Sequence, residues 1–258
     1  MTPLSPTGRA LMPGPFCLGL RDGAEPYSGR RELVRLLVVV ALFLAAWFLT
    51  TGGPPAREVS GQSGIVWLDP GHGGIDPGAV SAGGVLEKHV VLQIAHIAAR
   101  ALRARGYAVR LTRMGDHAVA AGRWDVTRDL HARAGLANGA GGSVFVSLHA
   151  NSEPTGTVRG PIVYYLRGNA VSRRLADSIE VALRAMTGIG HAPRPAGHLV
   201  LRLAGMPAVT VEVGFLSHPT EAGSLAAPGT QALLGEAVAL GISRYVGGAG
   251  SVATGMPP

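Results

Sequence analysis

Four side chains in this sequence can do metal or acid–base chemistry and sit where a fold would gather them. His72 lies in "LDPGHGG", Glu87 in "GGVLEKHV", His149 in "VFVSLHAN" and Glu212 in "VTVEVGF". His72 directly follows a short apolar run, and Gly71, Gly73 and Gly74 around it let the backbone turn sharply. Glu212 is the hardest to read as mere structure. It sits among Val209, Val211, Val213 and Phe215, and burying an unpaired carboxylate costs several kcal/mol. It therefore needs a partner: an Arg, a metal or a metal-bound water. Taken singly, His149 also reads as a core histidine at a strand end, and Glu87 as an acid favoured by the dipole at a helix start. The combination points to chemistry.

The elements that must position these residues alternate along the chain. Strands are predicted for 64–69, 107–112, 143–150, 162–166, 199–203 ("LVLRL") and 208–215. Helices are predicted for 87–106, 125–139, 170–186 and 230–246. In the first helix Val91, Ile94, Ala95, Ala98 and Leu102 make the i, i+3, i+4, i+7 stripe of an amphipathic helix. Such alternation predicts a single three-layer α/β domain with a mainly parallel, helix-covered sheet. Sites in that fold collect at the carboxyl ends of strands, which is where His72, His149 and Glu212 fall.

Outside this domain the sequence divides into further parts. Residues 1–32 read as a disordered cytoplasmic segment, 33–51 ("LVRLLVVVALFLAAWFLTT") as a transmembrane or signal-anchor helix, and 52–63 as a linker. The domain spans 64–246 and a flexible tail 247–258. Arg30, Arg31 and Arg35 precede the apolar run and no charge follows it until Arg57. The positive-inside rule then leaves residues beyond about 52 outside the inner membrane, on the periplasmic side. Arg30–Arg31 in "RRELV" also matches, loosely, a twin-arginine export signal. The segment is either cleaved or kept as an anchor. The net charge is +7, which suits an anionic surface such as a cell wall. The dispersal of the arginines and the export signal argue against nucleic acid. The lone cysteine, Cys17, lies before the apolar run, so an exported metal site must use His, Asp and Glu.

"IVWLDPGHGGIDPGAV", the Glu87–Lys88 pair, "VFVSLHAN" and "PAVTVEVGFLSHPTE" together resemble the zinc-dependent N-acetylmuramoyl-L-alanine amidases of the Amidase_3 type, peptidoglycan hydrolases of bacterial envelopes. The resemblance runs from about Ile65 to Tyr245. It implies one zinc ion held by His72, Glu87 and His149, with Glu212 as the catalytic base. Two imidazoles and one carboxylate leave a fourth position for water. It further implies hydrolysis of the amide between the lactyl group of N-acetylmuramic acid and L-alanine of the stem peptide, in wall turnover or daughter-cell separation. The expected partners are peptidoglycan, the inner membrane through 33–51 if uncleaved, and an unidentified activator protein; the expected state is a monomer. The residues alone give only metal-assisted amide hydrolysis outside the membrane. Two rivals stand: a zinc hydrolase of the same fold cutting another amide, and a non-catalytic wall-binding protein.

Other residues are weighed against these four. Asp69 or Asp76 could orient His72, or each could simply stabilise a turn. His89 and His96, seven apart on a helix, are too far apart for one metal. Arg113, Arg133 and Arg202 are expected at the solvated surface, with contacts to stem-peptide carboxylates as the alternative. The loop at 114–130 looks longer than the family's usual one and could shape the groove. The short connection after "SLHAN" has no room for the inhibitory helix that some relatives carry there.

Overall fold

The computed structural model describes residues 64–253. There are six strands: β1 (Ile65–Pro70), β2 (Ala108–Leu111), β3 (Gly142–Asn151), β4 (Ile162–Leu166), β5 (Arg194–Ala196) and β6 (Ala208–Phe215); all but β5 contain the β-branched residues that strands favour. They make one sheet in the order β2-β1-β3-β6-β4-β5. Four pairings are parallel, and β4 runs antiparallel to β6. The sheet is thus mixed, parallel through its site-bearing half. The antiparallel strand has a simple cause. Only residues 152–161 join β3 to β4, and a parallel return needs a crossover of about a dozen residues or more.

Helices α1 (Glu87–Ala104), α2 (Val126–Gly139), α3 (Ala170–Thr187), α4 (Leu199–Leu203), α5 (Pro219–Ala226) and α6 (Pro228–Ala253) complete the domain. Asp125 and Asn169 start α2 and α3 by accepting the backbone N–H groups of Arg128 and Ser172. The five stripe residues of α1 are all fully buried. They join Val66, Leu68, Val146, Leu148, Val209 and Val211 of the sheet, together with α3 and α6, in the larger core. Each buried Leu, Ile or Val there contributes about 1.5–3 kcal/mol. Across the sheet, Trp67, Phe145 and Ala208 pack with Ala134 and Ala137 of α2 and with Val200 and Leu201 of α4. Strand side chains alternate between faces, so this second face also carries Asp69, Ser147, His149, Thr210 and Glu212.

Two expectations change. "LVLRL" is one helical turn, α4, and the edge strand is the Arg-Pro-Ala triplet of β5. Adjacent Val200 and Leu201 are both buried, which a turn of helix against α2 allows and a two-faced strand would not. The last helix runs on to Ala253. Gly247 and Gly248 weaken a helix by about 1 kcal/mol each but, unlike proline, do not break it. Residues 170–187 and 87–104 match their predicted helices within two residues. The apolar segment 33–51 lies outside the described residues. Among the described residues no single helix is long and apolar enough to cross a membrane.

Helices α3 and α6 meet at Gly241. A Cβ there would sit 2.5 Å from the Ile179 Cα and 3.0 Å from the Ser178 carbonyl oxygen, both backbone atoms that cannot swing aside. Gly241→Ala is therefore expected to destabilise the domain by about 1–3 kcal/mol, measured by urea unfolding. An unchanged midpoint would show that the helix pair yields.

Candidate metal centre

The loop after β1 is built on buried charge. Asp69 is completely buried and accepts from Thr112 and Ser147 and from Arg133 Nη1 (2.8 Å). Arg133 also binds Asp129 (2.7 Å) and donates to the carbonyls of Pro70 (2.7 Å) and His72 (2.6 Å). Arg113 donates to the same Pro70 carbonyl and to those of Gly71 and Lys88. Burial opposes ionisation of Asp69, but Arg133 and the two hydroxyls outweigh it and hold its carboxyl below the usual range. The clamp has a purpose visible in the backbone. His72 has φ +60°, a left-handed conformation costing a non-glycine residue about 1–3 kcal/mol. The arginine donors fix the carbonyls on and before it. Arg113 and Arg133 are thus buried structural residues, correcting the expectation of solvated or substrate-contacting side chains. Arg202 is exposed.

Within this frame three donor atoms converge. His72 Nε2 lies 3.1 Å from His149 Nδ1 and 3.1 Å from Glu87 Oε1, and His149 Nδ1 lies 2.9 Å from Glu87 Oε1. A triangle of this edge can seat a cation at about 2.0–2.2 Å from each corner, the bond length zinc makes to nitrogen and oxygen. The two imidazoles meet edge to face, their centroids 4.8 Å apart. Each donor is held. Glu87 accepts Ala150 N on Oε1 (2.9 Å) and Ala79 N on Oε2 (2.7 Å). His72 Nδ1 donates to Asp76 Oδ2 (2.8 Å). Of the two candidate orienting acids, Asp76 makes this contact and Asp69 does not. Gly71 lies so close to the His149 ring that any Cβ would collide with it.

Glu212 stands beside the triangle. It pairs in register with His149 across β3 and β6, and the two share a cavity of about 310 Å³. Its Oε2 is buried without a hydrogen-bond partner among the described residues. Burial pushes its carboxyl up to about 7, Glu87 pushing the same way and the two histidines opposing. Burial acts against His149 as a cation, yet the Glu87 carboxylate outweighs it and raises the imidazole to about 9. Glu87 itself is held far below its ordinary value: burial resists, and hydrogen bonds from the two imidazoles prevail. This cluster concentrates negative charge and basic nitrogen on one point, as a divalent cation requires.

The remaining histidines are dispersed. His89 faces Asp116 at 3.5 Å, His96 the Met114 carbonyl, and His191 the Arg159 carbonyl; His218 caps α5. His198 escaped the sequence reading because no spacing marked it, yet it lines the Glu212 cavity. Trp124, just before α2, and Val126, its first residue, border a recess that also contains His72 and Asp76.

Residues 66–244 match the N-acetylmuramoyl-L-alanine amidase family. The chain belongs to this family. It is a hydrolase of that type. It is 32% identical over 217 residues to the germination-specific N-acetylmuramoyl-L-alanine amidase of Bacillus subtilis, covering 80% of this chain and 90% of that one. It is 31% identical to amidase AmiC of Neisseria meningitidis over 74% of its length, but spans only 55% of that relative. Among solved structures, amidase AmiC2 of Nostoc punctiforme superposes with a TM-score of 0.63 at 32% identity, covering 71% of this chain and 97% of that one. The CwlD amidase of Clostridioides difficile, solved in complex with the GerS lipoprotein, gives 0.68 at 26% identity, covering 71% and 98%.

Two outcomes test how this amidase builds its centre. Asp76→Ala is expected to raise the zinc dissociation constant about 10–100-fold, read by competition with a chromophoric chelator; equal affinity would show that Asp76 does not orient His72. Arg133→Leu strands Asp69 and Asp129 and is expected to cost about 3–5 kcal/mol in chemical denaturation. A fully stable variant would show that the clamp is dispensable.

Proposed function

We propose that this amidase uses one zinc ion, held by His72 Nε2, Glu87 Oε1 and His149 Nδ1, and Glu212 as general base. The substrate bond is the amide between the lactyl group of N-acetylmuramic acid and L-alanine of peptidoglycan stem peptides. The observation that carries the reading is the convergence of three donors beside a buried carboxylate oxygen that has no partner among the described residues. When bound, zinc supplies a Lewis acid that polarises the amide carbonyl and makes water acidic near neutral pH. Glu212 Oε2 takes a proton from the attacking water as its oxygen bonds to the carbonyl carbon. A carboxyl raised to about 7 then returns that proton to the leaving nitrogen as the C–N bond breaks. Asp76 keeps the hydrogen of His72 on Nδ1, so the Nε2 lone pair stays free for the metal.

The working place in this reading is the cell envelope, on the periplasmic side, with residues 33–51 as anchor or export signal. The role is wall turnover or daughter-cell separation by a monomeric enzyme. A protein partner fits the reading, since the C. difficile relative was solved in complex with a lipoprotein.

The test uses the full chain, zinc-loaded, on purified sacculi, with products identified by mass spectrometry. Free stem peptides beginning with L-alanine are expected from the parent. Chelation should abolish them and zinc should restore them. Glu212→Gln is expected to keep its zinc and lose about 10²–10⁴-fold in rate. Peptides still joined to sugar would indicate a different amide, and no products from a folded, zinc-loaded parent would favour a wall-binding protein.

A further inference from the structure

The reaction as described leaves two polar residues of the Glu212 cavity, His198 and Thr210, without a task. His198 lines that cavity together with His149, Thr210 and Glu212. Its carbonyl opens α4 by accepting the N–H groups of Leu201 and Arg202, so its backbone is fixed. Its ring rests against Tyr164, centroids 5.3 Å apart and tilted by 54°. Its Nδ1 lies 3.1 Å from Thr210 Oγ1. Thr210 precedes Glu212 by two residues on β6, on the same face of the sheet.

The tautomer follows from Thr210. That residue is only 3% exposed, and among the described residues its hydroxyl has no hydrogen-bond partner except His198 Nδ1. A buried hydroxyl must place its hydrogen somewhere. With Nδ1 accepting that hydrogen, the neutral ring bears its own on Nε2. Burial lowers the pKa of His198, with His149 adding to the effect, which favours the neutral ring. Two contacts thus fix a ring that lines the same cavity as Glu212.

We propose that His198 is a further catalytic residue, donating from Nε2–H to the scissile carbonyl oxygen in a hydrogen bond that strengthens as that oxygen gains charge. Thr210 is its positioning residue, because it sets the tautomer. The inference rests on the amidase reading above. A fixed donor to a developing oxyanion contributes about 10²–10³-fold in kcat, whereas a donor to a distant part of the substrate would act on KM alone.

The experiment compares the zinc-loaded full chain with His198→Phe, His198→Gln and Thr210→Val on a soluble N-acetylmuramoyl peptide. Phenylalanine keeps the packing on Tyr164 and loses the donor; glutamine restores an N–H. The Phe variant is expected to lose about 10²–10³-fold in kcat, with KM, zinc content and melting temperature unchanged. The Gln variant should recover part of that loss, and Thr210→Val should fall between parent and Phe. Nitrogen-15 NMR of the ring tests the tautomer without any substrate and should find the hydrogen on Nε2. A hydrogen on Nδ1, a Phe variant with parental kcat, or a loss confined to KM would each overturn the proposal. An inactive, zinc-loaded parent would instead overturn the amidase reading, and the ring's tautomer would still decide whether His198 is set up as a donor.

Discussion

The ion pair of Asp69 with Arg133, sealed beneath the loop after β1, is the interaction on which the rest depends. It joins β1 to α2 directly, and through Thr112 and Ser147 it reaches the end of β2 and the middle of β3. A buried pair of this kind contributes little net stability, since desolvation opposes attraction. Its value lies in geometry. The five donors of a guanidinium point in fixed directions, and Arg133 uses them on two carboxylates and two loop carbonyls. That fixes the unusual backbone of His72, and so fixes where one corner of the donor triangle lies.

The second constraint is the division of labour between the sheet's faces. Val66, Val146 and Val211 turn to the thick layer of α1, α3 and α6 and make the core. Their neighbours in sequence turn the other way. The cover on that side is thin, one helix and one helical turn, so a cavity remains beside Glu212. Stability and chemistry are thus assigned to alternate residues of the same strands. Glu87 completes the centre from the thick side, reaching over the strand ends from the first residue of α1.

Much of this was legible in the sequence, for reasons that can be named. The stripe on α1 and the alternation in "VTVEV" are periodic signals, and both strand and helix formed where the periods placed them. Glu212 stood out because a carboxylate among valines must be accounted for. The same reasoning applied to Asp69 in "VWLDP" would have found the need for a buried arginine; Asp129 and Arg133, one helical turn apart, offered it. Other features carried no local signal. "LVLRL" is a short apolar run that a strand accepts as readily as a helix, and only packing on α2 makes it a helical turn. "RPA" forms β5 because β4 offers an edge, not because its residues favour a strand. The place of His198 depends on Thr210 and Tyr164, which lie on two other strands.

The strand order has a further consequence. β6 is the last strand in the chain, yet it occupies the middle of the sheet, between β3 and β4. Until it is inserted, β4 and β5 have no neighbour through which to join β1 and β3, and Glu212 is missing from its cavity. A chain emerging from the ribosome can therefore fold its first β-α units and even bring His72, Glu87 and His149 together without assembling the complete site. Only after residue 215 has been made does the sheet close and the carboxylate reach the donors. Assembly of the full cluster of His72, Glu87, His149 and Glu212 thus waits on the strand made last, so no shorter piece of the chain can bring all four side chains together.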